Sequence, residues 1–192
     1  MSPDHFIRTD TAEDAVSSFE LASIFLLQAQ SDLRYWKWFI LACHAGVQGT
    51  FALALEGGNG LLVQKPGVMQ KTLAAFASHV TPPLPHMDNF TRLYKKVQVG
   101  EHLRSSDVRP VSATTESDAA ISNLDELRDE YMHFNVKGWS IDLAVIRTSA
   151  LECINVAAFL INQPGAVLWH EASHENRAKA ALSSLQAQLA QS

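Results

Sequence analysis

Arg128, Asp129 and His133 lie within the run Leu124-Asp125-Glu126-Leu127-Arg128-Asp129-Glu130-Tyr131-Met132-His133-Phe134 and carry groups that can move a proton and brace a charged oxygen. An imidazole titrates near neutrality, so His133 can take a proton from a ribose hydroxyl or give one to a leaving oxygen. A guanidinium presents a planar fork of donors, so Arg128 can stabilise charge on a phosphate. Asp129 can orient either of them. The chemistry such a set supports is RNA cleavage, and it requires no metal. Asp129 and His133 stand four apart and share a helix face. Arg128 and His133 stand five apart, about 140° round an ideal helix. Their convergence needs a bend at the helix end or a second copy of the chain. On spacing alone the plainer reading is an exposed Asp–His pair beside a surface arginine.

Two other sets compete for attention. His170-Glu171-Ala172-Ser173-His174 matches H-E-x-x-H, which on a helix sets two histidines on one face to hold zinc, with the glutamate as base. Here Glu175 follows directly and the stretch straddles an expected helix start, so the plain reading is a solvated His pair among glutamates. Neither a metal nor a cofactor is expected. Arg92, Lys95 and Lys96 make a small basic patch beside Tyr94, a candidate RNA-binding surface through phosphate contacts. The ordinary alternative is the wet face of a surface helix.

The elements that must position these groups are helices. Strand alternation is nearly absent, and apolar residues recur at three and four. A first helix is expected from Thr11, with Thr11 and Asp14 as a capping box, to about Gln30. A second runs from near Asp32 to the pair Gly57-Gly58. Its residues Trp36, Ile40, Cys43, Val47, Phe51 and Ala54 form one stripe, and Trp38, Phe39 and Leu41 make other faces apolar, as in the centre of a bundle. The stretch Trp38 to Leu55 is interrupted by His44, Gly46, Gln48 and Gly49, so it reads as a core helix rather than a membrane span. Shorter helices are expected over about Pro66 to Ser78 and Asp88 to Val99, then a long loop over Arg104 to Ser117. A fifth helix spans about Asp118 to Phe134, with Ile121, Leu124, Leu127, Tyr131 and Phe134 inward and Arg128 at the stripe's edge. A turn over Asn135 to Trp139 leads to a sixth helix, from Ser140 to just before Pro164. Its stripe is Leu143, Ile146, Ala150, Cys153, Ala157 and Leu160. The last helix covers roughly Ser173 to Gln191. All-α architecture in one helical domain over residues 1–192 is the expectation.

Composition sets the bounds. The 192 residues are long enough to bury a substantial core. Charged residues are only 18%, which points to helices covered on several sides or to surface covered by a partner. The net charge of −5 counts against passive coating of nucleic acid, which usually needs a basic protein, but allows a local grip on a short RNA. Cys43 and Cys153 read as small buried hydrophobes. Met1 to Asp14 carries no apolar signal core, so a cytoplasmic protein is expected, with no membrane partner.

The run Arg128-Asp129-Glu130-Tyr131-Met132-His133 resembles the motif of the HEPN superfamily: an arginine, a polar residue, three variable residues and a histidine. Phe134 and Lys137-Gly138-Trp139-Ser140-Ile141 look like a turn found in several HEPN-like families. Tyr35 to Leu55, with Cys43-His44-Ala45-Gly46-Val47-Gln48-Gly49, is similar to their long first core helix. The resemblance covers about Asp32 to Gln163, the HEPN-like core, with the N-terminal and C-terminal helices as additions. It implies an antiparallel helical bundle that pairs as a homodimer, with motif residues of two chains in one cleft. In active members it implies a metal-independent RNase acting by 2′-hydroxyl attack to leave a cyclic phosphate, in defence or stress response. Some members are toxins controlled by a cognate nucleotidyltransferase, an antitoxin-like partner. Those often carry tyrosine two residues after the motif histidine, where this chain has Asn135. Two alternatives stand beside the enzyme: a noncatalytic HEPN-type module binding a nucleotide or protein, which the acidic charge favours, and a purely structural helical dimer.

Overall fold

A computed structural model describes residues 9–133 and 138–191. Phe134, the Asn135–Lys137 part of the expected turn, and Met1–Arg8 lie outside the described residues. Among the described residues the chain is all-α: α1 (Thr11–Ala29), α2 (Tyr35–Leu55), α3 (Pro66–Ala77), α4 (Phe90–Lys96), α5 (Thr115–Met132), α6 (Leu143–Ile161) and α7 (Ala172–Ala190), with a single 3₁₀ turn at Gly100–His102.

The centre is α2, about 31 Å long at 1.5 Å per residue, which packs against α1, α4, α5 and α6. Its expected stripe from Trp36 to Ala54 is buried, and so are Phe39, His44 and Leu53. By length and composition α2 and α6 could each cross a membrane, but most of the apolar window of α2 is buried inside this fold. The most extensive contact is α1 with α2, and small residues set it. A Cβ added at Gly46 would lie 2.7 Å from the Phe19 ring, and one at Gly49 would lie 2.7 Å from the Ala15 Cβ. Two glycines that interrupt the apolar run in sequence, Gly46 and Gly49, are thus positions where α1 leaves α2 no room for a side chain. Gly57, with φ of +53°, turns the chain out of α2 in a conformation that a side chain would strain.

Helix ends follow local capping chemistry, in places shifted from expectation. The α1 cap is Asp10, whose carboxylate accepts from the Glu13 N–H at 2.8 Å, and the Thr9 hydroxyl pairs with Asp14 at 2.7 Å. Thr11 is already helical, so the expected Thr11–Asp14 capping box is replaced by a one-way cap from Asp10. Asn89 caps α4 through the Arg92 N–H. That helix stops at Lys96, shorter than expected. Thr114 and Ser117 form a reciprocal capping box, so α5 begins three residues early. Part of the expected long loop is fixed: Val108 and Val111 are buried, and Arg109 exchanges backbone hydrogen bonds with the Gln163 side chain.

One apolar cluster draws residues from every helix except α3. The excursion that carries α3 is closed at its base, where the Asp88 N–H donates to the Val63 carbonyl at 2.8 Å and the Lys65 N–H to the His86 carbonyl at 2.9 Å. Of the expected α6 stripe, Leu143 is exposed in the first turn and Ile146 through Leu160 are buried. α7 lies against both α1 and α6, so the two ends of the chain join the same core.

Candidate active site

α5 aims its apolar stripe inward: Ile121, Leu124 and Leu127 are buried, and Tyr131 is half-buried. That leaves Arg128 at the rim with its side chain 36% exposed and Asp129 outside at 52%. The two side chains form an ion pair, Nη1 to Oδ1. His133 closes the helix as its C-cap, its backbone N–H donating to the Asp129 carbonyl at 3.0 Å, and it is exposed. Asp129 therefore holds Arg128 through its carboxylate and His133 only through the backbone.

Around this end of α5 the surface is aromatic and cationic. The Tyr131 ring lies 4.7 Å from that of Trp139, centroid to centroid. The Lys37 Nζ sits 6.0 Å from the Tyr131 ring and 5.1 Å from that of Trp38, both within cation–π reach. Trp38, Trp139 and Met132 are exposed. Arg147 covers the buried Trp36 at 5.1 Å. Exposed rings beside a cation are the kind of surface on which single-stranded nucleic acid can lay its bases and backbone.

Sequence reasoning did not pick out the pair one turn earlier on α5. His44 of α2 is buried and its Nε2 lies 3.0 Å from the Asp125 Oδ1, with its ring 4.2 Å from that of Phe90. The available signal was an imidazole inside an apolar run, which requires a polar partner once buried. The pair does not reach solvent through His44; it fixes the helix that presents Arg128.

The basic patch divides. Lys96 is largely buried and its ammonium meets the Asp88 carboxylate and the Leu62 and Gln64 carbonyls, all at 2.8–2.9 Å. Burial works to raise the Asp88 carboxyl, but Lys96, the Asn89 amide and Arg92 outweigh it and hold the group below the usual range. Arg92 touches Asp88 only at 3.4 Å and is mostly exposed, as is Lys95. Lys95 and Lys96 follow Tyr94, whose hydroxyl meets Ser117 at 2.8 Å, about three helical turns before Arg128. The fold does not gather these lysines with the Arg128 set.

His170 is exposed in the segment before α7, while His174 is buried within the helix, its Nε2 3.0 Å from Glu13. Arg177 next to it clasps Glu13 and Glu20, each at 2.7 Å. The two histidines thus do not share a helix face, and one is committed to the α1–α7 contact. Among the described residues no group of three His, Cys, Asp or Glu side chains is arranged to hold a metal ion. Cys43 and Cys153 are buried, and burial pushes the Cys43 thiol up to about 12 and Cys153 well above its ordinary value, so both stay protonated core residues.

Comparison with protein-family models, with curated proteins and with solved structures returns no match for this chain.

Proposed function

We propose that the chain is a HEPN-type, metal-independent endoribonuclease that works as a cytoplasmic homodimer on single-stranded RNA. The carrying observation is the exposed Arg128–Asp129 ion pair with His133 at the same helix end, beside the rings of Trp38, Tyr131 and Trp139. In this reading a ribose 2′-hydroxyl attacks the adjacent phosphorus, and the P–O5′ bond breaks to leave a cyclic phosphate. His133 takes the hydroxyl proton or delivers one to the departing O5′. Arg128, held in register by Asp129, stabilises the charge gathering on the phosphate oxygens. The rings stack flanking bases. Met132 and Trp139 leave apolar surface exposed beside the site, which fits a second chain seated there and supplying the missing half of the cleft.

The test is a panel of labelled RNAs incubated in EDTA with wild type and with His133→Ala, alongside light scattering for mass. Cleavage by wild type alone supports the reading. Equal cleavage by both exposes a contaminating nuclease. Silence from both favours a noncatalytic HEPN-type module that binds a nucleotide or protein. Two observations favour that second reading: the net charge of −5, and the partial neutralisation of Arg128 by its own neighbour Asp129.

A further inference from the structure

The start of α2 interleaves cations and rings as Arg34-Tyr35-Trp36-Lys37-Trp38. Trp36 turns into the core, and the other four reach the surface in whole or in part. Arg34 stands three residues before Lys37 and four before Trp38, so the three share one side of the helix. A cleft of about 330 Å³ lies there, lined by Asp32, Arg34, Tyr35 and Trp38. Trp38 is also within cation–π reach of Lys37, and Lys37 of Tyr131, which follows Arg128 by three residues on α5. Rings and cations thus continue from the Arg128 set to this cleft.

We propose that the cleft is an outer RNA subsite, in which Arg34 holds a backbone phosphate of the single strand whose adjoining base stacks on Trp38. The choice of RNA rests on the ribonuclease reading, where Trp38 already receives a base; the cleft extends that site to Arg34 and Tyr35, which take no part in cleavage. With a net charge of −5 the chain as a whole does not attract RNA, so binding needs a local grip of this kind. The Arg92, Lys95 and Lys96 patch supplies less of one, because Lys96 is committed to Asp88.

Arg34 is held where it can do this. Its side chain is 90% exposed. The Asp32 carboxylate accepts from its Nε and Nη2 at 2.7–3.0 Å, and from its backbone N–H at 3.0 Å. That anchor fixes the guanidinium at the cleft and leaves Nη1 without a partner among the described residues. An ion pair this exposed is weak, so Asp32 offsets little of the pull on a phosphate, whose oxygens match the guanidinium's donor fork. The Tyr35 ring stacks on Phe25, centroids 6.2 Å apart, which braces one wall of the cleft. Trp38 is 48% exposed. Stacking on such a ring needs only the face of a base, so the subsite accepts any sequence.

Fluorescence anisotropy of the full chain with a labelled 2′-O-methyl RNA of about eight nucleotides tests this. That probe has no free 2′-hydroxyl, so binding is read without cleavage. Trp38→Ala is expected to weaken binding about tenfold, and Trp38→Phe to restore most of it. Arg34→Gln, at an exposed position, is expected to keep the melting temperature and to reduce the slope of log affinity against log salt by about 0.7. Lys95→Gln should change neither. No saturable binding by wild type, unchanged binding in Arg34→Gln or in Trp38→Ala, or an equal loss in Lys95→Gln would each overturn the proposal. Unmodified RNA separates the two readings. Cleavage that requires His133, with binding indifferent to Arg34, removes the subsite and keeps the ribonuclease. Binding that requires Arg34 and Trp38, with no cleavage, keeps the subsite and removes the ribonuclease.

Discussion

His44 on α2 and Asp125 on α5 meet at 3.0 Å, Nε2 to Oδ1, with the imidazole buried and the carboxylate about a quarter exposed. Arg128 stands three residues further along α5, so this polar contact lies next to the candidate active site and fixes how α5 seats on the central helix. Asp125→Ala strands a buried imidazole and is expected to cost about 1–3 kcal/mol. Urea unfolding of the two single variants and the double variant checks it. Purely additive losses from His44→Ala and Asp125→Ala would show that the contact carries no coupling.

The approach of α1 to α2 predicts an unusual penalty for a helix-favouring substitution. Gly49→Ala improves helix propensity by up to about 1 kcal/mol, yet the new Cβ would lie 2.7 Å from the Ala15 Cβ and 3.2 Å from its backbone Cα. Backbone cannot turn aside, so α1 must shift, and overpacking of this kind costs about 1–3 kcal/mol. A lower melting temperature for Gly49→Ala is expected, with no comparable loss for Gly58→Ala, where nothing lies within 4 Å. A stabilised Gly49→Ala protein would contradict the packing.

Acid should loosen the α1–α7 clasp. The Arg177 hydrogen bonds hold the Glu13 and Glu20 carboxyls below their ordinary 4.5, against the opposing pull of burial. A carboxylate with a lowered folded-state pKa adds stability above its unfolded value, and that stability is lost as pH falls through the folded one. Melting temperature should therefore fall as pH drops below about 4.5. Arg177→Gln should flatten that limb and leave the change small near neutrality, because all three side chains are about a third exposed. Identical acid limbs in wild type and variant would remove the clasp as a contributor.

Lys95 and Lys96 are neighbours with different tasks. Lys96→Met leaves the Asp88 carboxylate buried and stripped of its closest cation, which typically costs about 3–5 kcal/mol. Lys95→Ala, at an exposed position, should stay within about 0.5 kcal/mol of wild type. Chemical denaturation separates them. RNA-binding tests of the patch should accordingly use Lys95 and Arg92, since loss of binding in a Lys96 variant would report unfolding.

Removing a positioned acid–base group costs about a hundredfold to ten-thousandfold in rate. Under the proposed ribonuclease reading, His133→Ala is expected to lose cleavage on that scale with an unchanged melting temperature, since His133 is exposed at the helix end. On the same reading Arg128→Ala should lose activity and also some stability, because its stem lies along the buried stripe. Melting curves run beside the rate measurements check both, and a destabilised His133→Ala would give that residue a structural task.

The all-α architecture was legible in the sequence because helix patterns are local. Spacing of three and four marks the buried stripes of α2 and α6. Gly57, Pro66 and the prolines after Val80 end or begin helices through their own backbone limits. The Arg128, Asp129 and His133 set was legible by residue type, and its helix and exposed rim followed from the stripe beside it. What the tertiary structure alone decided was which charged group meets which. His44 finds Asp125 81 residues away, Arg177 finds Glu13 across 164, and Lys96 turns inward to Asp88 while Lys95 stays in water. The two glycines inside the apolar run looked like interruptions and proved to be positions where α1 packs too tightly on α2 for any side chain. Helix periodicity tells which face is buried, but a polar group's partner depends on the neighbouring helix that packing brings to it, and that neighbour is distant along the chain.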